Sequence, residues 1–257
     1  MQKQFFILIL ATLSFLTSCK KDNDKPGPVN PSGKVLKRIV ETENNSTTTY
    51  TFSYDANKRL SSVVSTNNEE ATFFTYDDKG NVIKLENRID DETNLFIFTY
   101  TNNLPVSGTF KSFERSGTEE IITDRYDLFY TVTGGVVSKI KAVMMDPQNN
   151  QETYQVVYDL QYTNGNVTKI ASVDWIPYSA TFTYGNKKPV YPQVFPYVLD
   201  PAGFSAQFSA RNELLSLAYD FSGTELDQVI TTTYTYDAEG YVLTATDGTT
   251  SSRFEYE

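Results

Sequence analysis

Tyr234-Thr235-Tyr236-Asp237-Ala238-Glu239-Gly240-Tyr241-Val242-Leu243 reads as strand, tight turn and strand. Tyr234 and Tyr236 lie two apart and so share one face of an extended segment, while Asp237 can hold an Asx-type turn and Gly240 can take a positive φ. Val242 opens a return strand. Phe74-Thr75-Tyr76-Asp77-Asp78-Lys79-Gly80-Asn81-Val82 is nearly superposable on it. A third copy runs from Thr47 to Tyr54: Tyr50, Phe52 and Tyr54 share one face, Thr49, Thr51 and Ser53 the other, before Asp55 to Arg59 turn the chain toward Leu60. One face is buried and one is wet.

Fainter copies end at Tyr100, Tyr130, Tyr162 and Tyr184, each followed within a few residues by Asn or Gly. With Tyr54, Tyr76 and Tyr236 these anchors are 22 to 52 residues apart, the period of stacked units. The reading is all-β: an antiparallel up-and-down meander of repeated hairpins, strongly curled or barrel-like, over a single domain at 34–257. Before the repeats begin, Val35, Lys37 and Ile39 alternate with Leu36, Arg38 and Val40. The pattern is interrupted by a helix or loop insertion near 190–217. Pro189, Pro192 and Pro196 exclude a central strand there, and Asp200-Pro201 offers an N-cap and first helical position for a helix over 201–217. The competing reading is two short strands turning at Arg211-Asn212-Glu213.

At the N-terminus, Lys3 and the apolar run Phe5 to Phe15 have the form of a secretory signal over 1–18, too short to span a bilayer. Leu16-Thr17-Ser18-Cys19 resembles a bacterial lipobox, whose cysteine is acylated and becomes residue one. Residues 19–33, polar with three prolines, form a flexible tether. Lys20, Lys21, Asp22 and Asp24 resemble the charged export tag of some Bacteroides-type lipoproteins. The resemblance implies lipid anchoring at the outer membrane and leaves open the cell surface or the periplasmic face.

The tyrosine-aspartate copies resemble the repeats of Rhs and teneurin-like proteins, whose strands wind into β-shells. Together with the lipobox they resemble a family of Bacteroides-type lipoproteins of unassigned function. That resemblance implies a porin-like barrel or curled β-meander and carries no catalytic residue. The hydroxyl face of the strands, threonine and serine at Thr47 to Ser53 and Thr231 to Thr235, argues against a membrane-spanning porin.

The chain has no histidine, one cysteine and a net charge of −10. Internal disulfides, Ser-His-Asp and Cys-His catalysis and His- or Cys-ligated zinc are thereby excluded, and nucleic acid is an unfavourable partner. No cofactor or metal motif is present. The acidic pairs Glu69-Glu70, Asp77-Asp78, Asp90-Asp91 and Glu119-Glu120 fall in expected turns or polar connections, where solvated carboxylates are ordinary. Trp175, Tyr178, Tyr191, Phe195 and Tyr197 put rings on loops, where they either stack on a ligand or plug one end of the barrel. The expected function is a non-enzymatic, lipid-anchored binding or scaffold module for glycan or protein. The alternative is a carboxylate-dependent polysaccharide hydrolase. A deep cleft with two carboxylates favours the enzyme and a filled interior favours the module.

Overall fold

A computed structural model of the protein describes residues 33–116, 119–172, 174, 177–195 and 204–257. The signal segment, Cys19, all of the tether except Gly33, Trp175 and Tyr197 lie outside these residues. Among the described residues seventeen strands follow in chain order. They are β1 (Leu36–Glu43), β2 (Ser46–Tyr54), β3 (Leu60–Ser65), β4 (Glu70–Tyr76), β5 (Val82–Ile89), β6 (Glu92–Thr101), β7 (Leu104–Ser116), β8 (Glu119–Thr133) and β9 (Val136–Met145). There follow β10 (Glu152–Thr163), β11 (Asn166–Ser172), β12 (Tyr178–Tyr184), β13 (Leu214–Phe221), β14 (Gln228–Thr231), β15 (Thr233–Tyr236), β16 (Val242–Thr246) and β17 (Thr250–Tyr256).

Each strand pairs antiparallel with the next from β1 to β14 and from β15 to β17, and β17 pairs back onto β1. The one gap in the described ladder falls at Thr232, where β14 passes into β15. The meander is therefore a nearly closed barrel. The chain ends join it reciprocally: Val35 N–H donates to Glu257 O and Glu257 N–H to Val35 O, each at 2.9 Å.

The repeat has a physical basis at each of its positions. In the turns, Asp55 Oδ1 accepts from Asn57 N and Arg59 N, Asp77 Oδ1 from Lys79 N and Asn81 N, and Asp237 Oδ1 from Glu239 N and Tyr241 N, all within 2.8–3.0 Å. The positive φ falls at Lys58, Gly80 and Gly240. Four tyrosine hydroxyls then reach back to the first residue of an earlier strand: Tyr54 to Leu36 O at 2.6 Å, Tyr76 to Leu60 O at 2.7 Å, Tyr100 to Val82 O at 2.8 Å and Tyr234 to Leu214 O at 2.8 Å, whereas Tyr236 donates to a side chain, Glu213 Oε1. A register shift sits immediately before Tyr54, Tyr76, Tyr100, Tyr162, Tyr184 and Tyr236. Such bulges bend a strand and increase its twist, so the motif that staples neighbouring units also curves the wall.

Inside the wall stand Ile39, Phe52, Phe74, Leu85, Phe98, Leu128, Ile140, Leu160, Ile170, Phe182, Leu217 and Phe254, all buried. A register shift between Leu36 and Arg38 corrects the alternation read from the first strand: Leu36 and Ile39, three apart, are both in the core. Outside are threonines such as Thr47 and Thr51 and ion pairs, among them Arg38–Glu255 at 2.8 Å, Lys84–Glu86 at 2.6 Å and Lys139–Asp159. Exposed Ile97 pairs across the sheet with Lys84 and Thr109, and exposed Phe129 with Ser107 and Lys141. A membrane barrel carries a continuous apolar band facing outward; here exposed apolar side chains such as Ile97, Ile121 and Phe129 are interspersed with charged and hydroxyl residues. No helix among the described residues is long and apolar enough to cross a membrane.

The insertion between β12 and β13 differs from the expected helix over 201–217. Among the described residues only a 3-10 turn at Phe204–Phe208 is helical there, and Leu214 already opens β13. Apolar spacing alone could not separate the two, because Leu214, Leu215 and Leu217 are buried on strand neighbours rather than on a helical face. The segment enters the barrel. Phe195 is 1 % exposed and Ala206 0 %; Phe195 meets Phe74 and Phe98 at ring-centroid distances of 6.1 and 6.4 Å, Phe208 meets Phe74 at 6.0 Å, and Tyr191 meets Phe52 at 6.3 Å. Rings from β2, β4 and β6 thus close on a plug.

Candidate binding cavity

The plug is fixed at the end of the barrel that carries the tyrosine-aspartate turns. Buried Glu213 accepts from Lys187 N at 2.6 Å and from the Tyr236 hydroxyl at 3.2 Å. Burial pushes the Glu213 carboxyl above its ordinary range, and these donors partly offset it. Asn166 Oδ1 accepts from Arg211 N at 2.7 Å, and its amide donates to Asn212 Oδ1 at 3.1 Å. Gly185 has a purpose here: a Cβ on it would lie 2.1 Å from Glu213 Oε1. Lys34, the second described residue, is at this same end, paired with Asp237 at 2.6 Å.

At the opposite end, beside the connections at 44–45 and 66–69, the lumen is not filled. A cavity of about 240 Å³ remains, floored by Tyr191, Phe208 and Phe52 and walled by Glu41 and Glu43 of β1, Tyr50 of β2, and Glu70 and Thr72 of β4. Its described lining holds three carboxylates and no lysine or arginine. The volume is below the roughly 300 Å³ at which drug-sized ligand sites begin, and suits a small ligand.

These walls follow from strand parity. Ile39, Glu41 and Glu43 alternate inward, opposite Phe254, Ser252 and Thr250 of β17. The Tyr50 hydroxyl donates to Glu70 Oε2 at 2.9 Å, and Asn87 Nδ2 donates to Thr72 Oγ1 at 2.9 Å. Burial, then the charges of Glu70 and Glu43, push the Glu41 carboxyl up to about 7, with Ser252 pulling slightly the other way and Asp247 adding to the rise. Burial and the Glu70 carboxylate likewise raise the Tyr50 hydroxyl.

Of the rings expected on loops, Phe195 is core and offers a ligand nothing. Tyr191 is half-buried in the cavity floor, its hydroxyl raised by burial and by Glu41. Tyr178 stands at the start of β12, half-buried, 6.2 Å from the Tyr219 ring and 5.1 Å from that of Phe221. Sequence reasoning passed over Glu41 and took Glu70 for part of a solvated connection. The available signal was a carboxylate at the inward parity of β1, two residues from buried Ile39.

Solved structures resemble this architecture at low sequence identity. A porin-like protein from Bacteroides vulgatus ATCC 8482 superposes with a TM-score of 0.57 at 9 % identity, over 88 % of this chain and 99 % of the other. The chain is similar in fold to porin-like proteins. A second porin-like protein, from Bacteroides uniformis ATCC 8492, gives a TM-score of 0.51 at 17 % identity, over 86 % of this chain and 96 % of the other. The sequence matches no family model and no curated protein. The likeness to porin-like proteins is one of fold. In this chain the outer face carries ion pairs and threonines beside a few exposed apolar side chains such as Phe129, and most of the rings named above lie within.

Proposed function

We propose that the protein is a lipid-anchored module of the outer membrane that takes a ligand, glycan or part of a protein, into the open end of its barrel. The observation that carries this reading is a plug that closes one end and leaves a walled cavity at the other. Cys19 is the proposed anchor and 19–33 the tether. Because the chain enters the barrel at the plugged end, a lipid on Cys19 leaves the cavity mouth free to face away from the membrane. Tyr191 lines the floor, and Trp175, Tyr178 and Tyr197 are proposed as further contacts.

Two measurements test it. Cys19→Ala should move the protein from the membrane to the soluble fraction; a variant that still sediments with membranes after a high-salt wash would sink the anchor. A chain beginning at Lys34, incubated with an envelope extract, should retain a small ligand in native mass spectrometry and lose it when Thr48→Trp fills the cavity. A wild-type chain that retains nothing would count against the binding reading.

A second reading keeps one specific observation. Glu41, whose carboxyl burial and neighbouring charge push up to about 7, lines the same cavity as Glu70, and a raised carboxyl facing a second one is the arrangement that glycoside hydrolysis uses. Release of reducing ends from a polysaccharide, abolished by Glu41→Gln, would favour the hydrolase over the module.

A further inference from the structure

Resting on the cavity's being a binding site, we propose that its ligand is a small organic cation, a primary amine or guanidine on a short apolar stem. Two features select this chemistry. The walls supply Glu41, Glu43 and Glu70, and the described lining has no basic residue to neutralise them. The floor supplies rings, whose negative faces attract cations and whose area covers a methylene stem. A neutral sugar would use the floor but leave the crowded carboxylates uncompensated.

The side of β17 next to this wall provides an observation independent of the acids. Thr250 is paired with Glu43 and so points to the same interior face. It is 1 % exposed, and its hydroxyl has no hydrogen-bond partner among the described residues. Buried hydroxyls are ordinarily paired, so the interior beside Glu43 holds unused hydrogen-bonding capacity as well as unpaired charge.

The groups that face Glu41 are Glu43 on its own strand, Glu70, Tyr50, Tyr191 of the plug, and Ser252 and Asp247 near β17. With no cation in reach, Glu41 holds a proton part of the time at neutral pH. An ammonium seated between Glu41 and Glu70 favours the carboxylate, so binding releases a proton.

Calorimetric titration of the whole chain with cadaverine, 1-aminopentane and 1-pentanol at pH 7, in buffers of different ionisation enthalpy, tests this. Cadaverine and 1-aminopentane should bind, pentanol at least tenfold more weakly, and the apparent enthalpy should vary with the buffer as a proton is released. Glu70→Gln and Glu41→Gln should each weaken the amine at least tenfold with near-ultraviolet circular dichroism unchanged. Glu43→Gln, at the exposed rim, tests the charge requirement should either inner variant fail to fold, and should weaken binding severalfold. Pentanol binding as tightly as the amine overturns the cation while leaving the cavity as a site. Absence of amine binding by a wild-type chain that does retain a ligand from the envelope extract likewise overturns the cation alone. Absence of both overturns the cation and the site together.

Discussion

In the wall, Tyr54, Tyr76 and Tyr100 make one and the same bond, to Leu36, Leu60 and Val82, and Asp55, Asp77 and Asp237 fold one and the same turn. In the plug, Phe195 and Phe208 meet two wall rings, Phe74 and Phe98, in an arrangement that the described chain makes once. Redundancy in the wall spreads stability over many equivalent contacts, so no single unit is decisive. The plug concentrates it. The same division holds for function: the wall's repeats set the diameter of the barrel, and where the plug stops sets how much of the lumen stays open.

The largest expected effect therefore lies in the plug. Phe195→Ala removes a ring that is 1 % exposed between two wall phenylalanines and should cost about 3–5 kcal/mol in urea denaturation. A loss below about 1 kcal/mol would mean that the wall stands without its plug. Next comes a wall turn. Asp77→Ala deletes an acceptor of two backbone N–H groups and should cost about 1–2 kcal/mol at pH 7. Burial would raise the Asp77 carboxyl, but the bonds from Asn81 and Lys79 outweigh it and hold the carboxyl below its ordinary range. A depressed folded value gives stability that is complete above the unfolded value, about 3.9, and is lost as the pH falls through the folded one. The gap between wild type and Asp77→Ala should accordingly close in acid, and a gap that persists at pH 2 would assign the loss to something other than the charged turn. The smallest effect belongs to a single staple. Tyr76→Phe keeps the ring and removes only the bond to Leu60 O, at about 1 kcal/mol. A thermal midpoint falling as far as in Phe195→Ala would show that the repeats are not interchangeable.

The wall was legible because each of its devices has a local signature. A tyrosine, an aspartate, a positive-φ residue and an apolar residue recur in fixed order, and the structure uses each as its chemistry suggests. Direction could not be read in the same way: nothing local says that Tyr76 donates backward to Leu60 rather than forward. The bulge near Leu36 escaped for a related reason, since one extra residue inverts the apparent face of everything before it. The plug was visible only as a lapse in the pattern. Its prolines excluded a central strand, but whether rings on such a segment turn inward or outward depends on the space the barrel leaves. Glu41 and Glu70 lie 29 positions apart in numbering and meet across strands, so their shared cavity is a property of register alone.

The reciprocal bonds between Val35 and Glu257 bear on how the chain comes together. Every other described pairing joins strands consecutive in sequence, whereas the β1–β17 ladder bridges nearly the whole described chain, with Lys37 and Glu257 separated by 220 positions. Loop-closure entropy grows only logarithmically, about 0.6 kcal/mol per doubling, so shutting this longest loop costs roughly 2 kcal/mol more than closing one of about 20 residues. Seven paired positions along the ladder oppose that cost. The expected slow event in folding is thus a search in which two distant strands meet, once the hairpins between them have curved far enough to bring the ends of the ring together.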